Sequence, residues 1–204
     1  MNQLATVRSL QQRITEMQPM RMGEGGLDVA SALRPLLPTG ALKKGAPTSV
    51  RGSLLLTLAL LREASANGAW CAAVGVPDLS FEAASTLGIA LERFIVIPNP
   101  GRHALSIAGM LSEVMSAIVL CPQHRPGTGE SERLHARLRD HGTALIVTGD
   151  WPRSDTALRV AASSWSGLGR GHGMLDTHVL TVRSLDRRGQ RVHTVRFQGG
   201  RLIP

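Results

Sequence analysis

The sequence predicts an α/β fold, with a mostly parallel central sheet, helices on both faces and an antiparallel C-terminal hairpin. Three observations lead there. The runs 69-AWCAAVGV-76, 94-FIVIP-98, 116-SAIVLC-121 and 144-ALIVTG-149 are short and apolar without alternation, as strands buried on both faces are. Helical stretches separate them, which is the βαβ rhythm of a parallel sheet. The last third changes character: 157-ALRVAASSW-165, 177-THVLTVRSL-185 and 191-RVHTVRFQ-198 read as strands, and 186-DRRGQ-190 as a hairpin turn in which Gly189 can take positive φ.

Taken in order, residues 3–17 read as an amphipathic helix, because Leu4, Val7, Leu10, Ile14 and Met17 fall at three- and four-residue spacing. Pro19 and 23-GEGG-26 end it and form a linker. The chain therefore divides into an arm, 1–26, and a core, 27–204. The arm's apolar stripe either packs on its own core or serves self-association. Within the core, 35-PLLPTG-40 is followed by a helix of Leu and Ala at 53–66. A second helix, 81–87, stops at Gly88, and a third covers 103–115. The polar turn 122-PQHRPGTGES-131 leads to a charged helix, 132–141, that buries Leu134 and Leu138 and turns its charges to solvent.

Composition narrows the function classes. Apolar residues make up 43% of the 204, enough for a real core. With no tyrosine and three each of Trp and Phe, a platform for stacking bases would be thin. The formal charge is +8, and from Trp151 onward nine arginines face three acids, Asp155, Asp176 and Asp186. That permits an acidic or nucleic acid partner. Cys71 and Cys121 sit in apolar runs and read as buried small hydrophobes of a reducing compartment. The N-terminus has no apolar signal-peptide core, and no apolar run reaches about 18 residues, so a soluble cytoplasmic protein without a membrane span is expected.

The stretch 47-PTSVRGSLLLTLALLREA-64 raises the sharpest question. A polar segment with Gly52 runs into an apolar helix, the layout of a G-x-x-x-x-G-K-[ST] phosphate loop. The chemistry is missing position by position. Pro47 stands at the first glycine and removes a backbone donor. Ser53 stands at the lysine and carries no charge, and Leu54 stands at the hydroxyl that would hold Mg²⁺. A degenerate loop is expected, with no nucleotide, cofactor or metal bound and no catalysis.

The words 37-LPTG-40, 57-TLALL-61, 71-CAAV-74, 87-LGIALERFIVIPNPG-101, 104-ALSIAGML-111 and 157-ALRVAASS-164, in this order and spacing, carry a family likeness. Over roughly residues 30–204 the chain resembles the RecA-like recombinase core, and within it the ImuA / ImuA-prime branch of bacterial mutasome proteins. The resemblance places the family's catalytic Glu near Val76, Pro77 and Asp78, its metal-organising Asp at Cys121 and Pro122, and its γ-phosphate-sensing Gln at Asp150 and Trp151. None is preserved, and phosphoryl transfer depends on such groups for positioning and charge neutralisation. The family's two DNA-binding loops would be cut down to 122–131 and 150-DWPRSD-155.

The resemblance further implies a non-catalytic adaptor of translesion synthesis in the SOS response to DNA damage. Its partners would be an ImuB-type inactive Y-family polymerase homologue and, through it, an error-prone replicative-type polymerase and the sliding clamp. Contact with the nucleoid would come through those partners, with weak or no direct DNA binding. Two other readings stand beside this one: a DNA-binding module using a basic C-terminal surface, and a divergent RecA-like nucleotide-binding ATPase.

The remaining motifs are bland. The seven histidines show no paired metal spacing. Residues 167-GLGRGHG-173 resemble G-x-G-x-x-G, but His172 holds the third glycine position and no βαβ start surrounds it. No G-x-S-x-G elbow exists. The C-terminal basic set is Arg183, Arg187, Arg188, Arg191, Arg196 and Arg201, with Phe197, Leu202 and Ile203 as apolar anchors between them. It reads equally as a solvated edge that discourages aggregation and as a partner-docking surface.

Overall fold

The computed structural model describes residues 26–168 and 173–204; the arm with Leu4, Val7, Leu10, Ile14 and Met17 lies outside the described residues. A short antiparallel ribbon opens the core, β1 (Leu27–Asp28) against β2 (Ala41–Leu42). The main sheet contains β3 (Pro47–Arg51), β4 (Cys71–Val74), β5 (Phe94–Ile97), β6 (Ala117–Leu120) and β7 (Ala144–Thr148). It continues with β8 (Thr156–Leu168), β9 (Gly173–Asp186), β10 (Gly189–Gln198) and β11 (Arg201–Ile203). Its order is β11-β10-β9-β8-β3-β7-β6-β4-β5. The pairings from β8 through β3 to β5 are parallel, and those from β8 through β9 and β10 to β11 are antiparallel. This is the mixed sheet and C-terminal hairpin that the sequence predicts.

Alternation along each strand builds two cores. On one face, Cys71, Ala73, Val119 and Ile146 meet α1 (Leu54–Ala59), α2 (Arg62–Ala66) and α3 (Phe81–Leu87). On the other, Ala72, Val74, Ile118, Leu120, Leu145 and Val147 meet α4 (Ala104–Leu111) and α5 (Thr128–His141). The first core continues across the whole sheet through Val50, Leu158, Leu180, Val182, Val195, Phe197 and Leu202. The second contains no residue of β3 or of β8 to β11. The α4–α5 side of the C-terminal half of the sheet is therefore bare.

Several boundaries differ from the sequence reading for identifiable reasons. The expected helix 53–66 is broken between α1 and α2, where the Leu61 N–H donates to the Leu58 carbonyl at 2.9 Å in a tighter 3₁₀-type turn and Leu60 and Leu61 are fully buried. Helix α5 starts at Thr128 rather than 132, because the Glu130 carboxylate accepts the Gly127 N–H at 3.0 Å and closes its first turn. Strand β11 follows a Gly199–Gly200 turn with φ 53° and 79°. The β8–β9 hairpin is longer than expected; beyond Arg159, β8 pairs with β9 alone. There Trp165 stacks on His178 with centroids 3.9 Å apart. Burial pushes the Cys71 thiol up to about 12, so it stays protonated. Among the described residues no helix is long and apolar enough to cross a membrane.

Candidate functional site

Open α/β sheets take ligands at the carboxyl ends of their strands, and a nucleotide site would lie along that edge here. The loop expected at 47–54 is not there. Pro47–Arg51 is strand β3, and the turn into α1 is Gly52–Ser53. Pro47 is a buried strand residue and Leu54 the first residue of a six-residue helix. Gly52 is exposed and takes φ 94°, and a Cβ on it would lie 3.2 Å from the Val160 side chain, so β8 packs against one side of this turn. The Ser53 hydroxyl faces inward as the cap of α1, accepting the Leu56 N–H at 3.0 Å.

The neighbouring crevice is stitched shut. Gly75 ends β4 at φ 82°, where a Cβ would lie 2.3 Å from the Cys121 carbonyl oxygen. The Cys121 N–H donates to the Val74 carbonyl at 2.8 Å. Val76 is buried, and Pro77 and Asp78 are exposed beyond it. Among the described residues no three His, Cys, Asp or Glu side chains converge on a metal-sized space.

The bare half of the sheet carries the charge. Register puts Arg51 beside Arg159 across the β3–β8 pair, and Arg159 beside Arg183 across the β8–β9 pair. Neighbouring strands lie about 4.8 Å apart, so three guanidinium stems stand in one transverse row. Residues directly opposite share a face, and Val50 and Leu158 one step back point into the first core. All three arginines are exposed. One carboxylate serves the row: Asp150 bonds Arg51 at 2.9 Å and lies 3.9 Å from Arg159. Arg183 has no ion-pair partner among the described residues. Adjacent like charges work against sheet stability, so this row is a cost the fold carries. Arg196 and Arg201 extend the same face, and Leu185 and Val192, each 56% exposed, add apolar surface.

At the opposite end of these strands from the closed edge, where α5 stands beside the bare sheet, lies a cleft of about 970 Å³. Lys43 and Lys44, Arg139 of α5, Arg153 and Arg187 contribute to its walls. His135 anchors one side, its Nε2 accepting the Trp151 indole N–H at 2.8 Å. The neutral ring then carries its proton on Nδ1. Burial first, then the charges of Arg139 and Arg153, outweigh the opposite pull of Glu132 and hold His135 below its ordinary value of 6.5. The unfolded chain thus takes up this proton at a higher pH than the folded one. The His135 contribution is complete above pH 6.5 and is lost as pH falls below it. Urea midpoints are expected to fall between about pH 7.5 and 5.5. His135→Gln, which keeps an acceptor for Trp151 without a titrating ring, is expected to reduce that slope, leaving the part due to His178, which burial also holds below 6.5; an unchanged slope contradicts the assignment.

The structure sorts the expected docking residues. Arg183, Arg196 and Arg201 lie on the bare face, and Arg187 and Arg188 in the exposed β9–β10 turn. Arg191 points the other way, half-buried, and pairs with the buried carboxylate of Asp186. Phe197 is not an anchor: it is 1% exposed in the first core, because odd residues of β10 face inward. Leu202 is buried for the same reason, opposite Phe197. Sequence reasoning missed Arg51, Arg159 and Arg139. Alternation in Val50–Arg51 and Leu158–Arg159 was the available signal, but reading 47–54 as a loop hid the first.

Trp151 is likewise structural, 6% exposed against α5, and its neighbour Asp150 is the carboxylate of the arginine row. A relative from Mycobacterium tuberculosis, "Uncharacterized protein Rv3395c", is 35% identical over 127 residues, spanning 60% of this chain and 62% of that protein. The match thus covers less than two thirds of the relative. Residues 35–153, from the turn before β2 through the Trp151 loop and more than half of the chain, match the family described as MT3502 N-terminal domain, and the chain belongs to that family.

Proposed function

We propose that the chain is a non-catalytic adaptor that works by protein–protein contact on its bare arginine face. The observation that carries this reading is the row Arg51–Arg159–Arg183, three exposed cations side by side served by one aspartate. A fold that holds like charges together gains from an acidic partner, which supplies charge-assisted hydrogen bonds to each guanidinium. The strand at Pro47–Arg51, the Ser53 hydroxyl spent on capping α1 and the stitched crevice at Gly75 support a RecA-like core no longer used for nucleotide chemistry. The resemblance to the ImuA / ImuA-prime branch supports translesion synthesis as the setting and an ImuB-type polymerase homologue as the partner. Through that partner the chain would reach an error-prone polymerase and the sliding clamp.

Capture of purified ImuB-type protein by the full chain tests the reading. Retention at physiological salt is expected; no retention by folded protein rejects it. Single-stranded DNA run in parallel is expected to bind weakly and to be released by modest salt, as a few Arg–phosphate contacts are. Sub-micromolar DNA affinity at physiological salt would favour a DNA-binding module instead. Calorimetric titration with ATP and Mg²⁺ is expected to be flat. Micromolar affinity lost on Ser53→Ala would restore the nucleotide-binding alternative.

A further inference from the structure

The cleft at the foot of the arginine face combines features that a general basic surface does not. Its walls hold five cations, Lys43, Lys44, Arg139, Arg153 and Arg187, against three carboxylates, Glu132, Asp155 and Asp186. Each carboxylate is engaged within the protein. Asp155 bonds Lys43 at 2.8 Å and Glu132 bonds Arg153 at 3.0 Å. Asp186 takes the Arg191 guanidinium and the Arg188 N–H. Arg139 and Arg187 are exposed and have no carboxylate partner among the described residues. His135 beside them accepts the Trp151 indole N–H and is no anionic partner for either.

The loop 153–155 along one wall is set under strain. Arg153 sits at φ 55°, the one non-glycine residue in the left-handed region among the described residues. The Ser154 hydroxyl donates to the Trp151 carbonyl at 3.0 Å, and the Asp155 N–H to the Pro47 carbonyl at 2.8 Å, which pins the loop there. The floor is apolar: Pro47 and Ala157 line it beside Leu185, which is 56% exposed.

We propose that this cleft docks an extended acidic segment with aliphatic side chains, supplied by a partner protein. The inference rests on the adaptor reading and names the partner's chemistry. Carboxylates of the segment bond Arg139 and Arg187, and an aliphatic side chain covers Leu185 and Ala157. A nucleic acid backbone would use the cations and leave the apolar floor uncovered, and the cleft lining offers no Phe, Tyr or Trp ring to a base. The cleft floor and the arginine row lie two residues apart along β8, about 7 Å, so one segment reaches both.

Fluorescence anisotropy of the full chain tests this with a short labelled peptide of glutamates flanking a Leu-Leu pair, at about 0.15 M ionic strength. The wild type is expected to bind it. The Arg139→Gln, Arg187→Gln double variant, shown folded by circular dichroism, is expected to bind at least about tenfold more weakly. Replacing the leucine pair with serines is expected to weaken binding too. The proposal is overturned if the wild type ignores the peptide, if the double variant binds it equally, or if an oligo-dT strand displaces it. The two readings fail separately. If the double variant still captures the ImuB-type protein at full strength, the cleft assignment falls and the adaptor stands. If the wild type captures none while binding peptide through Arg139 and Arg187, the partner identity falls and the cleft stands.

Discussion

Phe197→Ala is expected to lower the free energy of unfolding by about 3–5 kcal/mol, while Arg196→Ala beside it changes stability by no more than about 0.5 kcal/mol. The two residues are neighbours on one strand and point to opposite faces. Phe197 is 1% exposed and packs with the first core, its ring 6.2 Å from that of His178. Truncation to alanine leaves a cavity bounded by β9, β11 and the residues beneath them, which a sheet interior cannot collapse to fill. Arg196 stands on the bare face opposite Val179 and Ile203, with no ion-pair partner among the described residues. Urea denaturation of both variants measures the contrast. A Phe197→Ala protein as stable as the wild type, with partner capture reduced, would return Phe197 to the docking role that its place among arginines suggests in the sequence.

That reversal marks where the sequence stops being legible. The parallel strands could be read because both faces are covered: 71-CAAV-74, 117-AIVL-120 and 144-ALIVT-148 are unbroken apolar runs, and such runs have one home in an α/β protein. Helix α3 could be read to the residue from Ser80, whose hydroxyl accepts the Ala83 N–H at 3.1 Å, and from Gly88 at φ 96°. Strand β3 was hidden. 47-PTSVR-51 has a proline, two hydroxyls and an arginine, and only its place between β7 and β8 makes it central. The arginine row was hidden for a stronger reason. Arg51, Arg159 and Arg183 are separated by 107 and 23 intervening residues in the sequence, and their adjacency exists only through register, which no local pattern encodes. The count of basic residues after Trp151 pointed to the strands that carry Arg159 and Arg183, but not to Arg51, and it left Arg191 and Phe197 on the wrong side of their strand.

Arg159→Glu, the centre of the row, is expected to reduce capture of an acidic partner at least about tenfold while leaving the fold as stable as the wild type or more so. In the wild type Arg159 has an arginine on either side, Arg51 across β3 and Arg183 across β9. Each like-charge neighbour opposes pairing, and each becomes an opposite-charge neighbour when Glu stands between them, a change worth about 0.2–1 kcal/mol per contact. Against this stands the Arg159–Asp150 approach at 3.9 Å between groups more than half exposed, a weak contact whose loss costs little. A residue kept for structure would show the reverse pattern, with stability and binding falling together. Arg159→Lys separates charge from shape: it keeps the row positive but removes the planar fork that meets a carboxylate with two bonds, so capture is expected to lie between wild type and Arg159→Glu. Thermal melts and partner capture on the three proteins decide it. Undiminished capture by Arg159→Glu, or a melting temperature several degrees lower, would mean that the row is held for a reason other than docking.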